Sequence, residues 1–213
     1  MDTFKYRYKT GMEKPKDYFS HKAQDYDRLK SRTQNVENIG AGIVRAISLT
    51  KSMHIMDFGS GTGLLLANVA PHVGKITAVD VSSSMNEVLR AKMDQIDCDL
   101  ALKELDLTKE TINNQFHGII SSMTIHHIED VEAIFSKFYS LVSDGGFVAI
   151  ADLDAEDGSF HTSDTGVFHL GFDRKEFVAI AENAGFKNVK IETVSTAEKP
   201  TGSYPIFLLT AQK

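Results

Sequence analysis

The chain has 213 residues, of which 42% are hydrophobic and 24% charged, so we expect one domain with a sizeable core. No apolar run approaches the roughly 18 residues that a membrane-spanning helix needs. The amino-terminal segment also lacks the apolar centre of a secretory signal. A single cysteine, Cys98, excludes an internal disulfide and fits a reducing compartment, so we predict a cytoplasmic protein.

Charge is unevenly distributed along the chain. Residues 1–32 carry nine Lys/Arg against five Asp/Glu, a local charge of +4, whereas the remaining residues carry fourteen against twenty-four, a charge of −10. An acidic body repels a large nucleic-acid substrate. The charge therefore argues against such a substrate, although the basic arm keeps this possibility open.

The predicted elements alternate between helix and strand. Residues 21–32 and 33–50 are each predicted to be helical, the second because apolar residues recur every three or four positions. Apolar runs then predict strands at 53–58, 75–80, 99–105, 116–122 and 144–153. Helices are predicted at 64–70, 82–93, 130–142 and 173–185. This alternation is typical of a parallel α/β sheet with helices on both faces.

The last part of the chain changes this pattern. Residues 186–195 and 203–212 are two further strands, and the segment between them is too short to hold a crossover helix. They must therefore pair in antiparallel fashion. The predicted fold is α/β, with a seven-stranded, mostly parallel sheet that ends in a C-terminal antiparallel hairpin.

A glycine-rich turn follows the first predicted strand, in the stretch IMDFGSGTGLL. In open α/β sheets, ligands bind beyond the carboxyl ends of the strands, where Gly59, Gly61 and Gly63 should lie. A dinucleotide site has the spacing G-x-G-x-x-G, whereas here the third glycine comes one position too early. Asp57, at the end of the strand, would repel a pyrophosphate but attract an ammonium or sulfonium. The turn therefore favours S-adenosylmethionine.

Two further acids end the next predicted strands. Asp80 lies about twenty residues after the glycines, where a carboxylate accepts ribose hydroxyls, although NAD would use the same acid. Asp106 is placed to accept the adenine amino group. Leu107 is placed to offer its backbone N–H, and Val81 and Met85 to sandwich the ring. Each acid alone is also compatible with a helix cap or a turn, but acids at successive strand ends favour a binding site.

These motifs support a family resemblance. The segments IMDFGSGTGLL, VDVSSSM, LDL, FHGIISSMTIHHIED and LVSDGGFVAIADL resemble, in order and spacing, those of class I S-adenosylmethionine-dependent methyltransferases over about residues 36–152. They look most like the small-molecule branch that includes ubiquinone/menaquinone-type enzymes.

The resemblance implies a Rossmann-like fold, S-adenosylmethionine as cofactor, S-adenosylhomocysteine as product and a small-molecule acceptor. It also implies an N-terminal arm with a cofactor-closing helix at residues 1–30, followed by a methyltransferase domain at 31–213. Tyr26 of that helix is placed to touch the methionine tail. Carried over position by position, the other cofactor-lining residues are Gly59, Ser60, Gly61, Asp80, Val81, Asp106, Leu107 and Ser122.

The acceptor side is predicted just after the fourth strand. Residues 121–124 are Ser-Ser-Met-Thr, which lacks the Asp/Asn-Pro-Pro-aromatic tetrapeptide common in methyltransferases that act on exocyclic or amide nitrogens. This argues against a base or glutamine N-methyltransferase. His126 and His127 are candidate general bases because imidazole titrates near neutrality. Alternatively, the pair only packs near the cofactor or bonds a backbone carbonyl.

An acidic segment at 152–172 leaves the fifth strand with two histidines, His161 and His169. Its spacing matches no fixed metal motif, so we predict no metal. The default expectation is a solvated, partly mobile loop, and the alternative is that His161 or His169 faces the acceptor. Three phenylalanines either wall an apolar pocket or anchor the loop: Phe160, Phe168 and Phe172.

Three other functions stay open. One is methylation of RNA or protein, with the basic arm as the docking surface. Another is binding of S-adenosylmethionine without catalysis. An NAD-dependent oxidoreductase ranks last because of Asp57, the glycine spacing and the closing hairpin. The sequence makes no prediction of the oligomeric state.

Overall fold

A computed structural model describes residues 17–20, 22–161, 163 and 165–213. A short 3-10 helix at Ala23–Arg28 precedes five α-helices: α1 (Lys30–Ala46), α2 (Leu64–Val69), α3 (Ser83–Arg90), α4 (Val131–Leu141) and α5 (Arg174–Asn183). The strands are β1 (His54–Phe58), β2 (Lys75–Asp80), β3 (Asp99–Glu104), β4 (Phe116–Ser122), β5 (Val142–Leu153), β6 (Lys187–Lys199) and β7 (Gly202–Gln212). Along the described residues, no helix is both long and apolar enough to cross a membrane.

The strands form one sheet in the order β3-β2-β1-β4-β5-β7-β6. Strands β1 to β5 pair in parallel, and β7 runs antiparallel to both β5 and β6. The turn at 200–201 is too short to allow anything but a hairpin between the last two strands. The predicted seven-stranded α/β sheet with its C-terminal antiparallel hairpin is therefore confirmed.

Apolar clusters cover both faces of the sheet. One contains Phe135 and Phe138 of α4 and Phe177 of α5. The other contains Ile39 and Ile43 of α1, together with residues of α2 and α3. Neighbouring residues of β1 point to opposite clusters, which explains why this strand reads as a continuous apolar run. The layering leaves the carboxyl ends of β1 to β5 on one open edge.

The amino-terminal part differs from the prediction. Instead of two helices at 21–32 and 33–50, a 3-10 helix ends at Arg28, Leu29 takes an extended conformation, and α1 begins at Lys30. Most of the predicted arm, residues 1–16, lies outside the described residues. The boundary between an arm at 1–30 and a domain at 31–213 therefore stays a prediction.

Candidate active site

A tight turn connects β1 to α2. Gly59 has a φ of +69°, and a Cβ atom there would lie 2.2 Å from Cγ2 of Thr124. Gly63 has a φ of +86°, and its Cβ would lie 2.4 Å from Cδ1 of Leu89. Only glycine combines this backbone conformation with such close packing. Gly61 also has a positive φ, but its Cα faces open space.

Two concave spaces meet at this turn. The outer cleft, of about 550 Å³, runs along the ends of β2 and β3, and the inner cavity, of about 280 Å³, lies under α1 and the loop after β5. All the predicted site residues line one or both. The outer cleft has Asp80, Val81, Met85, Asp106 and Leu107; the inner cavity has Asp57, Ser60 and His126; and both share Tyr26, Gly59, Gly61, Ser122 and His127.

Asp57 is buried at the floor of the inner cavity. Its Oδ2 has no hydrogen-bond partner within the described part of the chain. Burial, reinforced by the nearby Asp80 carboxylate, raises the pKa of Asp57 to about 8. A buried carboxyl group left without a donor is energetically costly unless a ligand supplies one. Asp57 is thus poised to receive a hydrogen-bond donor, and a cationic donor best of all.

Asp80 lines the outer cleft, where backbone N–H groups hold its carboxylate. Its Oδ2 accepts a hydrogen bond from the Gly61 N–H at 2.7 Å, and its Oδ1 accepts one from the Ser82 N–H at 2.8 Å. Burial raises the pKa of Asp80, although these two hydrogen bonds oppose the shift. Each carboxylate oxygen keeps a further lone pair for a ligand hydroxyl.

Asp106 lines the outer cleft and is only partly buried. Its carboxylate accepts hydrogen bonds from the Thr108 N–H at 3.0 Å and from Lys109 Nζ at 2.7 Å. Partial burial favours a higher pKa, but the hydrogen bonds from Lys109 and Thr108 outweigh it and lower the pKa of Asp106. The side chain therefore both organises a turn and lines the cleft. Its role as a turn residue is compatible with a role in ligand binding.

Hydrogen bonds and an ion pair hold the described part of the amino-terminal segment against the two spaces. The Asp17 carboxylate accepts hydrogen bonds from the Ser82 and Ser84 hydroxyls, the latter at 2.7 Å. Asp27 accepts one from the Thr62 hydroxyl at 2.6 Å and pairs with Lys92 at 2.6 Å. Between these ties, Phe19 and Tyr26 line both spaces, and the Phe19 ring meets the edge of the His127 ring with centroids 5.6 Å apart.

His126 is buried and fixed by the end of β5. Its Nδ1 donates a hydrogen bond to Oδ1 of Asp152 at 2.6 Å, and its backbone N–H reaches Oδ2 of the same residue at 3.2 Å. Because a carboxylate only accepts hydrogen bonds, Nδ1 must carry the proton. When the ring is neutral, the opposite nitrogen, Nε2, is therefore the proton acceptor.

His127 and His161 complete a group of three histidines on the inner cavity. The ring centroids of His126 and His127 are 4.3 Å apart, and those of His126 and His161 are 5.2 Å apart. Burial, followed by the neighbouring His126, lowers the pKa of His127 to about 4. The same two causes, with His127 in addition, lower the pKa of His161 to about 4. Both rings are therefore neutral at pH 7.

The segment at 152–172 is only partly solvated, which differs from its default expectation. Asp157 and Phe168 are exposed, but Phe160 and Thr165 are buried, and Asp152 belongs to β5 and is fully buried against His126. The backbone of Phe172 pairs with Leu153 and Ala155, which closes the base of the loop, and the backbone N–H of Phe168 donates to His126 O at 2.9 Å. The loop is thus packed over the inner cavity, and His161, rather than His169, lines that cavity.

Within the described residues, no group of three or more His, Cys, Asp or Glu side chains is arranged to hold a metal ion. The histidines instead pack ring against ring. Hydrogen bonds join His161 Nδ1 to the Thr165 hydroxyl at 3.1 Å and His169 Nε2 to Ile128 O at 2.9 Å.

Sequence reasoning missed several residues of the inner cavity. Lys22, Arg32 and Lys199 line this cavity but carried no motif, and Asp152, which acts through its hydrogen bond to His126, was seen only as one acid of the loop. These residues come from segments that are far apart in the chain, so their spacing held no signal. The fold alone brings them together.

A family model described as a methyltransferase domain matches residues 32–191, about three quarters of the chain. The chain belongs to this methyltransferase family. The match spans β1 to β5, the glycine turn and the histidine pair. It confirms the predicted enzyme class, an S-adenosylmethionine-dependent methyltransferase, and the predicted cofactor.

Individual proteins agree with the family match. The chain is 28% identical to an uncharacterized methyltransferase of Schizosaccharomyces pombe over 156 residues, which cover 65% of this chain and 55% of that protein. It is 29% identical to the ubiquinone biosynthesis O-methyltransferase of Coxiella burnetii over 97 residues, 45% of this chain and 42% of that enzyme. The chain thus spans about half the length of these curated relatives.

Solved structures show the same fold. Magnesium protoporphyrin IX methyltransferase from Synechocystis, crystallised with S-adenosylhomocysteine, superposes with a TM-score of 0.69 over 92% of this chain and 97% of that one, at 15% identity. The same enzyme was crystallised with S-adenosylmethionine. The likeness supports the class I architecture that the strand order displays.

Proposed function

We propose that this methyltransferase domain transfers the methyl group of S-adenosylmethionine to a small-molecule acceptor in the inner cavity. The observation that carries the proposal is the shared wall between the two spaces. A cofactor lying in the outer cleft would turn at Gly59 and Gly61 and present its methyl group to the inner cavity. A volume of about 280 Å³ lies near the lower end of the range for small-molecule pockets.

Its chemistry assigns the adenosine part of the cofactor to the outer cleft and its methionine tail to the glycine turn, where Asp57 and Ser60 line the inner cavity. Asp57 receives the ammonium of the methionine tail, and Asp80 accepts the ribose hydroxyls. Asp106 accepts the adenine amino group, while Val81, half-exposed at the cleft, and Met85 hold the two faces of the ring. Charge-assisted hydrogen bonds of this kind each contribute about 1.5–3 kcal/mol.

The remaining polar groups suit the methionine tail and its carboxylate. The hydroxyls of Ser60 and Ser122 are buried and lack partners within the described part of the chain, so they are available to a ligand. Leu107 supplies a backbone N–H to the adenine, and Tyr26 covers the tail from the amino-terminal segment.

His126 is the general base in this proposal, and Asp152 is its positioning residue. The acceptor nucleophile attacks the methyl carbon in line with the carbon–sulfur bond, whose electrons pass to sulfur and give S-adenosylhomocysteine. The nucleophile's proton goes to His126 Nε2. His127 is less suitable because its pKa of about 4 makes it a weak base at neutral pH. Holding the nucleophile at about 3–3.5 Å supplies much of the rate.

The ubiquinone/menaquinone-type branch remains a prediction. It is supported by the partial match to the Coxiella O-methyltransferase, which favours an oxygen nucleophile. A cytoplasmic location rests on the single cysteine and remains a prediction as well.

The test is a panel of small hydroxyl, thiol, amine and carbon acceptors that monitors release of S-adenosylhomocysteine. The proposal expects turnover of at least one acceptor, and a loss of about 10²-fold or more in His126→Asn. His72→Asn, which changes an exposed histidine outside both spaces, should retain full activity. Binding of the cofactor with no product from any acceptor would instead favour a non-catalytic protein, and salt-sensitive binding of polyanions would favour an RNA substrate.

A further inference from the structure

Cationic side chains gather on the inner cavity. Arg32 comes from the first turn of α1, Lys199 from the end of β6, and Lys22 from the segment before the 3-10 helix; all three line the cavity. Burial, followed by the charge of Arg32, lowers the pKa of Lys199; Glu156 opposes this shift, and Lys22 adds to it. The three charges are thus close enough to act on one another.

Arg32 presents its guanidinium with its orientation fixed. The Cζ atom lies 3.8 Å from the centre of the Tyr26 ring, and Nη1 donates a hydrogen bond to Tyr26 O. Among the described residues, no hydrogen bond uses its Nε or Nη2. A stacked, planar guanidinium with free N–H groups is the side chain best suited to bind a carboxylate or phosphate through two hydrogen bonds.

Lys199 lines the same cavity from the end of β6. Its ammonium is 3.4 Å from the centre of the Phe160 ring and donates to Phe160 O. Two carboxylates lie nearby. Glu156 Oε2 accepts from the Gly158 and Phe160 N–H groups, its Oε1 has no partner among the described residues, and its charge raises the pKa of Lys199. Glu198 Oε2 accepts from the Ser203 hydroxyl. In the described part of the chain, neither Arg32 nor Lys199 forms an ion pair.

Two histidines of the cavity add no positive charge to this group. His127 and His161 are neutral at pH 7, as their lowered pKa values require. The Nε2 of His161 is buried and lacks a partner among the described residues. Cations gathered in a partly buried cavity repel one another, and an anionic ligand relieves that cost.

We propose that Arg32 and Lys199 bind a carboxylate or phosphate group of the methyl acceptor, so that the substrate of this domain is a small anion. This inference rests on the proposed function, since it names the class of molecule that the inner cavity takes. The anionic group binds at Arg32 and Lys199, while the nucleophile of the same molecule faces His126. The cavity thereby selects acceptors by charge as well as by size.

The test uses the folded 213-residue chain saturated with S-adenosylhomocysteine. Benzoate, phenyl phosphate and the neutral isostere benzamide are titrated by calorimetry at constant ionic strength. We expect at least one anion to bind about tenfold or more tightly than benzamide, and Arg32→Gln and Lys199→Met each to weaken that anion about tenfold. Tighter binding of benzoate would indicate a carboxylate site, and tighter binding of phenyl phosphate would indicate a phosphate site.

Matched controls remove the same charges outside the cavity. Arg45→Gln changes an exposed arginine of α1 that pairs with Glu192, and Lys190→Met changes an exposed lysine of β6; both should bind the anion as the wild type does. Equal binding of benzamide and the anions, no saturable anion binding at millimolar concentration, or wild-type affinity in both cavity variants would overturn the inference. Affinity for S-adenosylhomocysteine, measured on every variant, confirms folding, and its absence in the wild type would contradict the proposed function instead.

Discussion

The outer cleft and the inner cavity lie on either side of one glycine turn, yet they are assembled differently. The outer cleft takes most of its residues from the ends of the consecutive strands β1 to β4 and from the start of α4. The inner cavity draws on the amino-terminal segment, α1, the loops after β4 and β5, and the β6–β7 turn. A site built from consecutive βα units can be shared by a whole family, whereas one collected from distant segments is particular to a chain. The comparison assigns the common chemistry to the cleft and the specificity to the cavity.

Among the substitutions considered, one at Gly59 should impair the outer cleft most. Gly59→Ala places a Cβ 2.2 Å from the Thr124 side chain at a φ of +69°, and we expect loss of S-adenosylhomocysteine binding and lower stability. Gly145→Ala is the matched control, because Gly145 has a φ of +75° but nothing within 4 Å of its Cβ position. The free energy of unfolding of that control should fall by about 1–2 kcal/mol from backbone strain alone, and the control should still bind S-adenosylhomocysteine. Calorimetry measures the affinity of each variant for S-adenosylhomocysteine, and urea denaturation measures its stability. Equal affinities and equal stabilities in the two variants would contradict the packing argument.

Asp152→Asn should affect the cavity while leaving the cleft intact. The amide no longer holds the His126 Nδ1 proton as a carboxylate does, so the base loses its fixed tautomer. We expect kcat on the best acceptor of the panel to fall about 10²-fold and its pH profile to change, with unchanged affinity for S-adenosylhomocysteine. A normal pH profile with only a loss of thermal stability would show that Asp152 is merely structural.

Asp80→Asn tests the cleft without touching the cavity. Loss of the charged acceptor for the ribose hydroxyls should weaken S-adenosylhomocysteine about tenfold, since a hydrogen bond to a charged group contributes about 1.5–3 kcal/mol. Asp99→Asn, at an exposed pair with Lys75, serves as the control and should bind normally. Wild-type affinity in Asp80→Asn would remove this residue from the site.

A last prediction is a pH dependence of stability that arises at Asp57, on the floor of the inner cavity. The folded-state pKa of Asp57 is raised from 3.8 to about 8, so between about pH 4 and pH 8 the folded chain holds a proton that the unfolded chain releases. Stability from this group is complete below pH 4 and falls as the pH rises through that window. Urea denaturation should show a shallower decline in Asp57→Asn. Parallel curves for the two proteins would mean that Asp57 is not buried as a neutral acid.

The difference between the outer cleft and the inner cavity also explains which features could be predicted from the sequence. β4 and the hairpin were predicted because apolar runs and a short turn leave few alternatives. Asp57, Asp80 and Asp106 could be placed because parallel strands end at one edge of a sheet. These are local signals, and the structure brings each of these residues to the predicted edge.

The features that could not be predicted depend on contacts between residues that are far apart in the chain. Asp152 looked like one acid of a solvated loop because its partner, His126, lies 26 residues earlier in the chain. Arg32 and Lys199 come from opposite ends of the chain, and nothing in their spacing links them. The break at Leu29 was missed because the polar pattern of residues 21–32 is compatible with a continuous helix.

The central claim is that the glycine turn binds S-adenosylmethionine with the ammonium of the ligand at Asp57. Calorimetric titration at pH 7, repeated in buffers of different ionisation enthalpy, tests it directly. The account predicts binding at one site with release of about one proton, because the ammonium ionises a carboxyl group whose pKa is about 8, and no such release in Asp57→Asn. No binding heat at millimolar ligand from folded protein, or binding of NAD in its place, would contradict the claim.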